Sequence, residues 1–433
     1  MIIWKLKEGD DRRLRSQHPW VFSNELQKSP KGHFPGSPVE IQDHKGQFIA
    51  RGYGNPQSLI SFRALSFDPT DREPWSENAL IHKLLRSWKM RKQLGYKGSF
   101  RLCFGEADFL PGLVVDYYLC DTPMGQAQVF AAQILTSGLE FAIKDLQSFF
   151  HNLVKQAQSE NLTELNWEQT AVVQRNDVNI RKLEGMQVVE PLVVKDIQGI
   201  ELDHIDIILN SASDQKTLLM KCDLFHGQKT GFFLDQTENI YLVIQQLHSY
   251  VRSKKMTKLR VLDLCCYVGH WSTQIARAMK NMGVEVEISQ VDVSKNALEF
   301  AKLNAEREGA TVTTHQLDVL EGLGVFKDNS FDIVIADPPA FIKAKKDIPT
   351  GKHAYLKMNS QAFRICCRDG ILVSCSCSGL LTEDDFREAI RKASVRNQKH
   401  AQCIGRGGHA ADHPLLMSFE EGFYLKMYVN WVS

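Results

Sequence analysis

FDIVIADPPAFI, residues 331–342, is an apolar run that delivers Asp337 and is closed by two prolines. Such a run reads as a buried strand, because the prolines fix φ and remove backbone donors where the chain must leave a sheet. Outward from it, LRVLDLCC, EVEISQVDV, TVTTHQLDV and GILVSCS read as further strands, alternating with helical patterns over 271–282, 294–308, 354–368 and 382–397. That alternation predicts a parallel sheet with helices on both faces. Ligands of such sheets bind outside the carboxyl ends of the strands. The residues to watch are therefore Asp263, Asp292, Asp337 and the pair Cys375/Cys377, each at a strand end.

The 433 residues suit two or three domains, with 43% apolar and 24% charged residues, as in ordinary soluble proteins. No stretch approaches the roughly 20 apolar residues of a membrane span. Charges fill the start, MIIWKLKEGDDRRLR, where a signal peptide needs an apolar core, which predicts cytoplasmic residence. The ten cysteines then read as reduced thiols, and the adjacent pairs Cys265/Cys266 and Cys366/Cys367 lack a zinc-site spacing, so no metal is expected. The net charge of +1 conceals an uneven spread: residues 1–100 hold 17 Lys and Arg against 10 Asp and Glu. A basic front suits phosphate binding, and equally a solvated face.

Short β-type runs over residues 1–68 (VEIQ, QFIARGYG, LISFRAL) predict a small barrel-like β domain, followed by the linker DPTDREPW. A basic helix over 77–95 and strands in RLCFGEADFLPGLVVDYY, QVFAAQIL and AVVQ predict a central α+β domain. The boundaries expected are 1–70, 71–195 and 196–433.

At the strand ends, VLDLCCYVGHWS has Gly269 in a tight turn but no GxGxxG, which fits a cofactor without a pyrophosphate. Asp292 is placed to bind ribose hydroxyls; the alternative is a helix N-cap, by Asp292 or Ser294. Asp318 is a candidate partner for an adenine amino group, or a loop cap. Asp337 and the stiff turn behind it can hydrogen-bond the edge of a flat heterocycle. Cys375 and Cys377, two apart, share a face on an extended strand and diverge if the strand breaks after Ser374. Burial as packing is the competing reading for each.

These ends, in this order, resemble a class I S-adenosylmethionine-dependent methyltransferase. HPWVFSNEL, ARGYGNPQSLISFRAL, FGEADFLPGLVVDYY, GFFLDQ, DPPAF, SCSGL, ADHP and EGFYLK are similar to the ribosomal RNA large subunit methyltransferase I family. The resemblance implies an α/β Rossmann-like catalytic domain preceded by a PUA RNA-binding domain and a small EEHEE domain. It also implies S-adenosylmethionine as cofactor and 5-methylcytidine in large-subunit ribosomal RNA as product. Its cysteine falls on Cys377 as nucleophile, with Asp337 opposite. Asp263, Cys265, Tyr267, Gly269, Asp292, Asp318 and Asp337 would face the cofactor. Pro338, Pro339, Phe341, Cys375 and His413 would face the base, with Tyr424 shaping the far wall. Lys343, Lys345 and Lys346 form a basic loop that grips RNA or is simply solvated. The implied partner is ribosomal RNA, with no membrane, and a homodimer is the assembly left open. Two positions depart from the family: Ala340 stands where Lys is usual and Thr237 where Arg is usual, each losing a cation.

A thiolate that adds to C6 of cytosine makes C5 enamine-like and nucleophilic, which is covalent catalysis. The alternatives are an exocyclic-amine RNA methyltransferase that uses DPPAF without a nucleophilic thiol, and a non-catalytic RNA-binding assembly factor.

Overall fold

Two units divide the chain in the computed structural model, which describes residues 1–214 and 216–433. Unit one gathers Met1–Ile208, Asp223–Phe232 and Ala411–Gly422; unit two gathers Leu209–Cys222, Phe233–Ala410 and Phe423–Ser433.

In unit one, Ile2–Lys5 runs parallel to Ser37–Gln42, which continues antiparallel through Phe48–Gly54 and Ile60–Ser66 to Trp20–Phe22. Period-two alternation turns Val39, Ile41 and Phe62 inward, onto Trp4 and Leu14. The barrel expected here is an open five-stranded sheet, whose edges meet at an antiparallel bridge between Leu6 and Leu26. Its edge strands, four and three residues long, are too short to close the ladder. A second, mixed sheet centres on the hairpin of Leu113–Thr122 with Gly125–Ile134, flanked by Phe100–Phe104 and Thr170–Gln174. Helices Glu77–Gln93 and Leu146–Ser159 cover it, burying Leu84, Trp88, Phe149 and Phe150 against Tyr117 and Phe130. Part of the basic excess is spent inside this unit. Arg51 pairs with Glu40, Arg63 with Glu184 and Arg91 with Asp108, all buried.

Unit two carries the predicted parallel sheet. Its elements are α1 (Thr237–Ser253), β1 (Lys258–Leu264), α2 (His270–Lys280), β2 (Glu285–Asp292), α3 (Lys295–Arg307), β3 (Thr311–Gln316), β4 (Phe331–Ala336), α4 (Ile348–Ile365), β5 (Cys366–Ser376), α5 (Glu383–Arg396), β6 (Ala401–Gly407) and β7 (Lys426–Val432). The sheet order is β3-β2-β1-β4-β5-β7-β6, parallel through β5 and antiparallel at β7 and β6. Ile240, Val243, Ile244 and Ile275 pack on one face; Tyr355, Met358, Phe363 and Phe386 pack on the other.

Register sets the site. Leu264 pairs with both Val291 and Ala336, and Ala336 pairs with Ser374, so Cys265, Asp292, Asp337 and Cys375 follow at one level. Helix α4 starts at Ile348, six residues before the expected start, because Pro349 fits the first turn, where its missing N–H costs nothing. It ends at Ile365, and β5 starts at Cys366 rather than Gly370, across a register irregularity. Among the described residues no helix is long and apolar enough to cross a membrane.

Candidate active site

Beyond β1 the chain takes left-handed φ at Cys265 (59°), Tyr267 (49°) and Gly269 (79°). Alternating handedness turns successive amides to one side, a geometry that cradles anionic groups. Gly269 is the N-cap of α2, where an added Cβ would lie 3.0 Å from Ala301 Cα in α3. Close helix packing and positive φ both require glycine there. Asp263 is fully buried; one carboxylate oxygen accepts from Ser272 N at 3.2 Å, and the other has no hydrogen-bond partner among the described residues. Burial above all, with Asp337 and Asp292 nearby, pushes its pKa up to about 7.

Asp292 accepts from Tyr267 N and from Ser294 N, both at 2.9 Å, so it ties the β1 loop to β2. The helix N-cap is Ser294, whose hydroxyl accepts from Ala297 N. Tyr267 sets its ring edge-on to Phe233 at 5.1 Å. Asp318 is exposed and closes its own turn, accepting from Leu320 N at 2.8 Å.

Asp337 is gripped at both oxygens. Gln236 Nε2 donates to each at 2.9 Å, and Trp271 Nε1 donates to Oδ2 at 3.0 Å. Asn239 fixes the Gln236 amide by donating to its Oε1 at 2.6 Å. Gln236 and Asn239 stand at the start of α1, and Trp271 opens α2. Thr237, beside Gln236, is buried and bonds back to Leu234 O.

The two thiols of the fifth strand differ. Cys375 lies in the core facing Met427 across the ladder, fully buried, and its pKa is raised by burial first and by Asp337 next. Cys377, just past the strand, is half-buried, and its Sγ donates to Pro338 O at 3.6 Å. The DPP turn is thereby joined to the end of β5. Ser378 adds a second tie, accepting from Ile342 N at 3.1 Å and meeting Tyr355 OH at 2.8 Å. Phe341 rests edge-on against Tyr355, Pro338 is buried, Pro339 is exposed and Ala340 is half-buried. Lys343, Lys345 and Lys346 are exposed at the entry to α4.

His413 belongs to unit one, 1% exposed, with Nδ1 2.8 Å from Asp412 Oδ1 and its ring against Phe104. Tyr424 is in unit two and donates to Asp235 Oδ2 at 2.6 Å. The sequence reading passed over Gln236, Asn239, Trp271 and Asp235. GFFLDQ contained two of them, yet nothing local marks a Gln as the partner of a carboxylate a hundred residues away.

Residues 5–67 match the model of a PUA-like domain and residues 255–418 that of a methyltransferase domain. A ribosomal RNA large subunit methyltransferase I from Photobacterium profundum is 31% identical, the match covering 99% of this chain and 98% of that protein. The chain belongs to this family. Its Escherichia coli O139:H28 member is 29% identical over 97% of each chain. Two solved structures share the fold over 99% of this chain and all of theirs: a candidate SAM-dependent methyltransferase from Streptococcus mutans (TM-score 0.71, 16% identity) and a candidate methyltransferase complexed with SAH (TM-score 0.72, 17% identity). The family's class I S-adenosylmethionine-dependent architecture is thus the one that sets Asp263, Asp292, Asp337 and Cys377 at the carboxyl edge of the sheet.

Proposed function

We propose that this chain is a cytoplasmic S-adenosylmethionine-dependent methyltransferase that forms 5-methylcytidine in large-subunit ribosomal RNA, through a covalent adduct at Cys377. The observation that carries the reading is the meeting of the Cys377 sulfur with the Pro338 carbonyl of a turn whose Asp337 is already oriented by Gln236 and Trp271. An exocyclic-amine enzyme could use DPPAF for its base, but has no use for a half-buried thiol at that spot.

The residues around β1 fit the cofactor. Among the described residues Asp263 keeps one buried oxygen without a hydrogen-bond partner, suited to a cationic amino group, and the turned amides of Cys265–Gly269 suit a carboxylate. Asp292 retains acceptor capacity for ribose hydroxyls beyond its two backbone bonds. When bound, S-adenosylmethionine supplies an electrophilic methyl on a sulfonium. Cys377, as thiolate, adds to C6 of the cytosine; the Sγ–C6 bond forms and the C5=C6 electron pair is pushed toward C5, which becomes the nucleophile. Once C5 carries the methyl, its proton passes to water, the C5–H electron pair re-forms the C5=C6 bond, and the Sγ–C6 bond breaks to release the thiolate. Asp337 accepts N–H groups on both oxygens, so it presents an acceptor suited to the 4-amino edge of the base. A base in folded RNA must be extruded to reach this site, with basic surface holding the flanking phosphates.

Mass spectrometry of nucleosides from large-subunit RNA, with and without the protein, tests the reading. Loss of one 5-methylcytidine in the depleted sample is expected. A lost N-methylated purine would replace the reading with the exocyclic-amine alternative.

A further inference from the structure

Lys426 opens β7 directly across the antiparallel ladder from Ser376. Its Nζ donates to Ser378 O at 3.1 Å and to Tyr424 O at 3.0 Å, which pins the ammonium beside the backbone that carries Cys377. Burial pushes the Lys426 pKa down, while Cys377 and then Glu383 pull it back up, so thiol and ammonium share one field. Glu383 is already engaged, accepting from Tyr428 OH at 2.6 Å and pairing with Arg406. Two further titratable groups feel Cys377, Tyr355 and Cys375, and neither carries a positive charge. Tyr355 has its pKa pushed up to about 12, by burial first; Cys375 is raised by burial; the Asp337 carboxylate is held by Gln236 and Trp271.

We propose that Lys426 is a positioning residue that keeps Cys377 in its thiolate form: anchored on the carbonyls of Ser378 and Tyr424, it supplies the cation beside the sulfur. This rests on Cys377 being the nucleophile. The thiol proton passes to bulk water and no further reactant is needed. A nearby Lys lowers a thiol's pKa and raises the share of nucleophile at neutral pH.

Iodoacetamide labelling of the full-length, RNA-free protein across a pH series tests it, with the Cys377 peptide quantified by mass spectrometry. In the wild type, Cys377 should titrate below the ordinary thiol value of about 8.5. Lys426→Met should slow its labelling at neutral pH by about threefold to tenfold and move the midpoint up, since one pKa unit is tenfold in thiolate. Lys426→Arg should restore it. Equal midpoints in wild type and Lys426→Met would overturn the proposal. If the Met variant fails to fold by thermal unfolding, a wild-type midpoint at or above the ordinary value overturns it alone. Methyl transfer by Cys377→Ala is scored separately: full activity there removes the nucleophile and leaves the labelling result standing.

Discussion

Cys375 and Cys377 are two positions apart, yet the strand's pleat buries the first and its end releases the second beside Pro338. Substitution at each therefore has a different effect. Cys377→Ala should abolish methyl transfer with folding intact, while Cys375→Ala should keep most activity and cost about 1 kcal/mol of stability for the small void it leaves. Thermal unfolding alongside a methyl-transfer assay on both variants checks this. Asp263 gives a pH signature. Its pKa rises from 3.8 unfolded to about 7 folded, so its contribution to stability is fully present below pH 3.8 and is lost as pH rises through 7. The span corresponds to about 4 kcal/mol as an upper bound. In cofactor-free protein, Asp263→Asn should flatten that part of the stability profile; unfolding midpoints from pH 4 to about 8 that stay parallel in the two proteins would contradict it.

At the scale of elements, the loop between β1 and α2 does the most with the least sequence. Gly269 must be left-handed and must let α3 approach, so Gly269→Ala should cost about 1–3 kcal/mol and weaken S-adenosylmethionine binding in calorimetry. The strand–helix alternation was legible because apolar runs ending in Asp263, Asp292 and Asp337 are local signals. So was the thiol, once β5 was recognised. What escaped was non-local. Gln236 and Trp271 reach Asp337 from 101 and 66 residues away, contacts that only the sheet order creates. The antiparallel β7 and β6 were missed because AQCIGRG and KMYVNWV lie outside the alternating pattern, and with them went Lys426. The early start of α4 was hidden by Pro349, which reads as a breaker until its place in the first turn is known.

Over the whole molecule, the family match runs the length of the chain, from the PUA-like sheet to the methyltransferase sheet. Much of the arginine in the basic front is internally paired, so RNA affinity should rest on exposed cations such as Lys28, Lys31, Lys89 and Lys97. Binding to large-subunit RNA should weaken at least about tenfold between roughly 50 and 200 mM salt, and neutralising those lysines should reduce that slope in filter-binding titrations. The central claim is chemical, and one trap addresses it directly: incubation with S-adenosylmethionine and large-subunit RNA containing 5-fluorocytidine, whose C5 fluorine cannot leave as a proton does. The account predicts a denaturation-resistant protein–RNA adduct with the wild type, mapped to Cys377 and absent in Cys377→Ala. No adduct from an active wild type, or an undiminished one in Cys377→Ala, would contradict it.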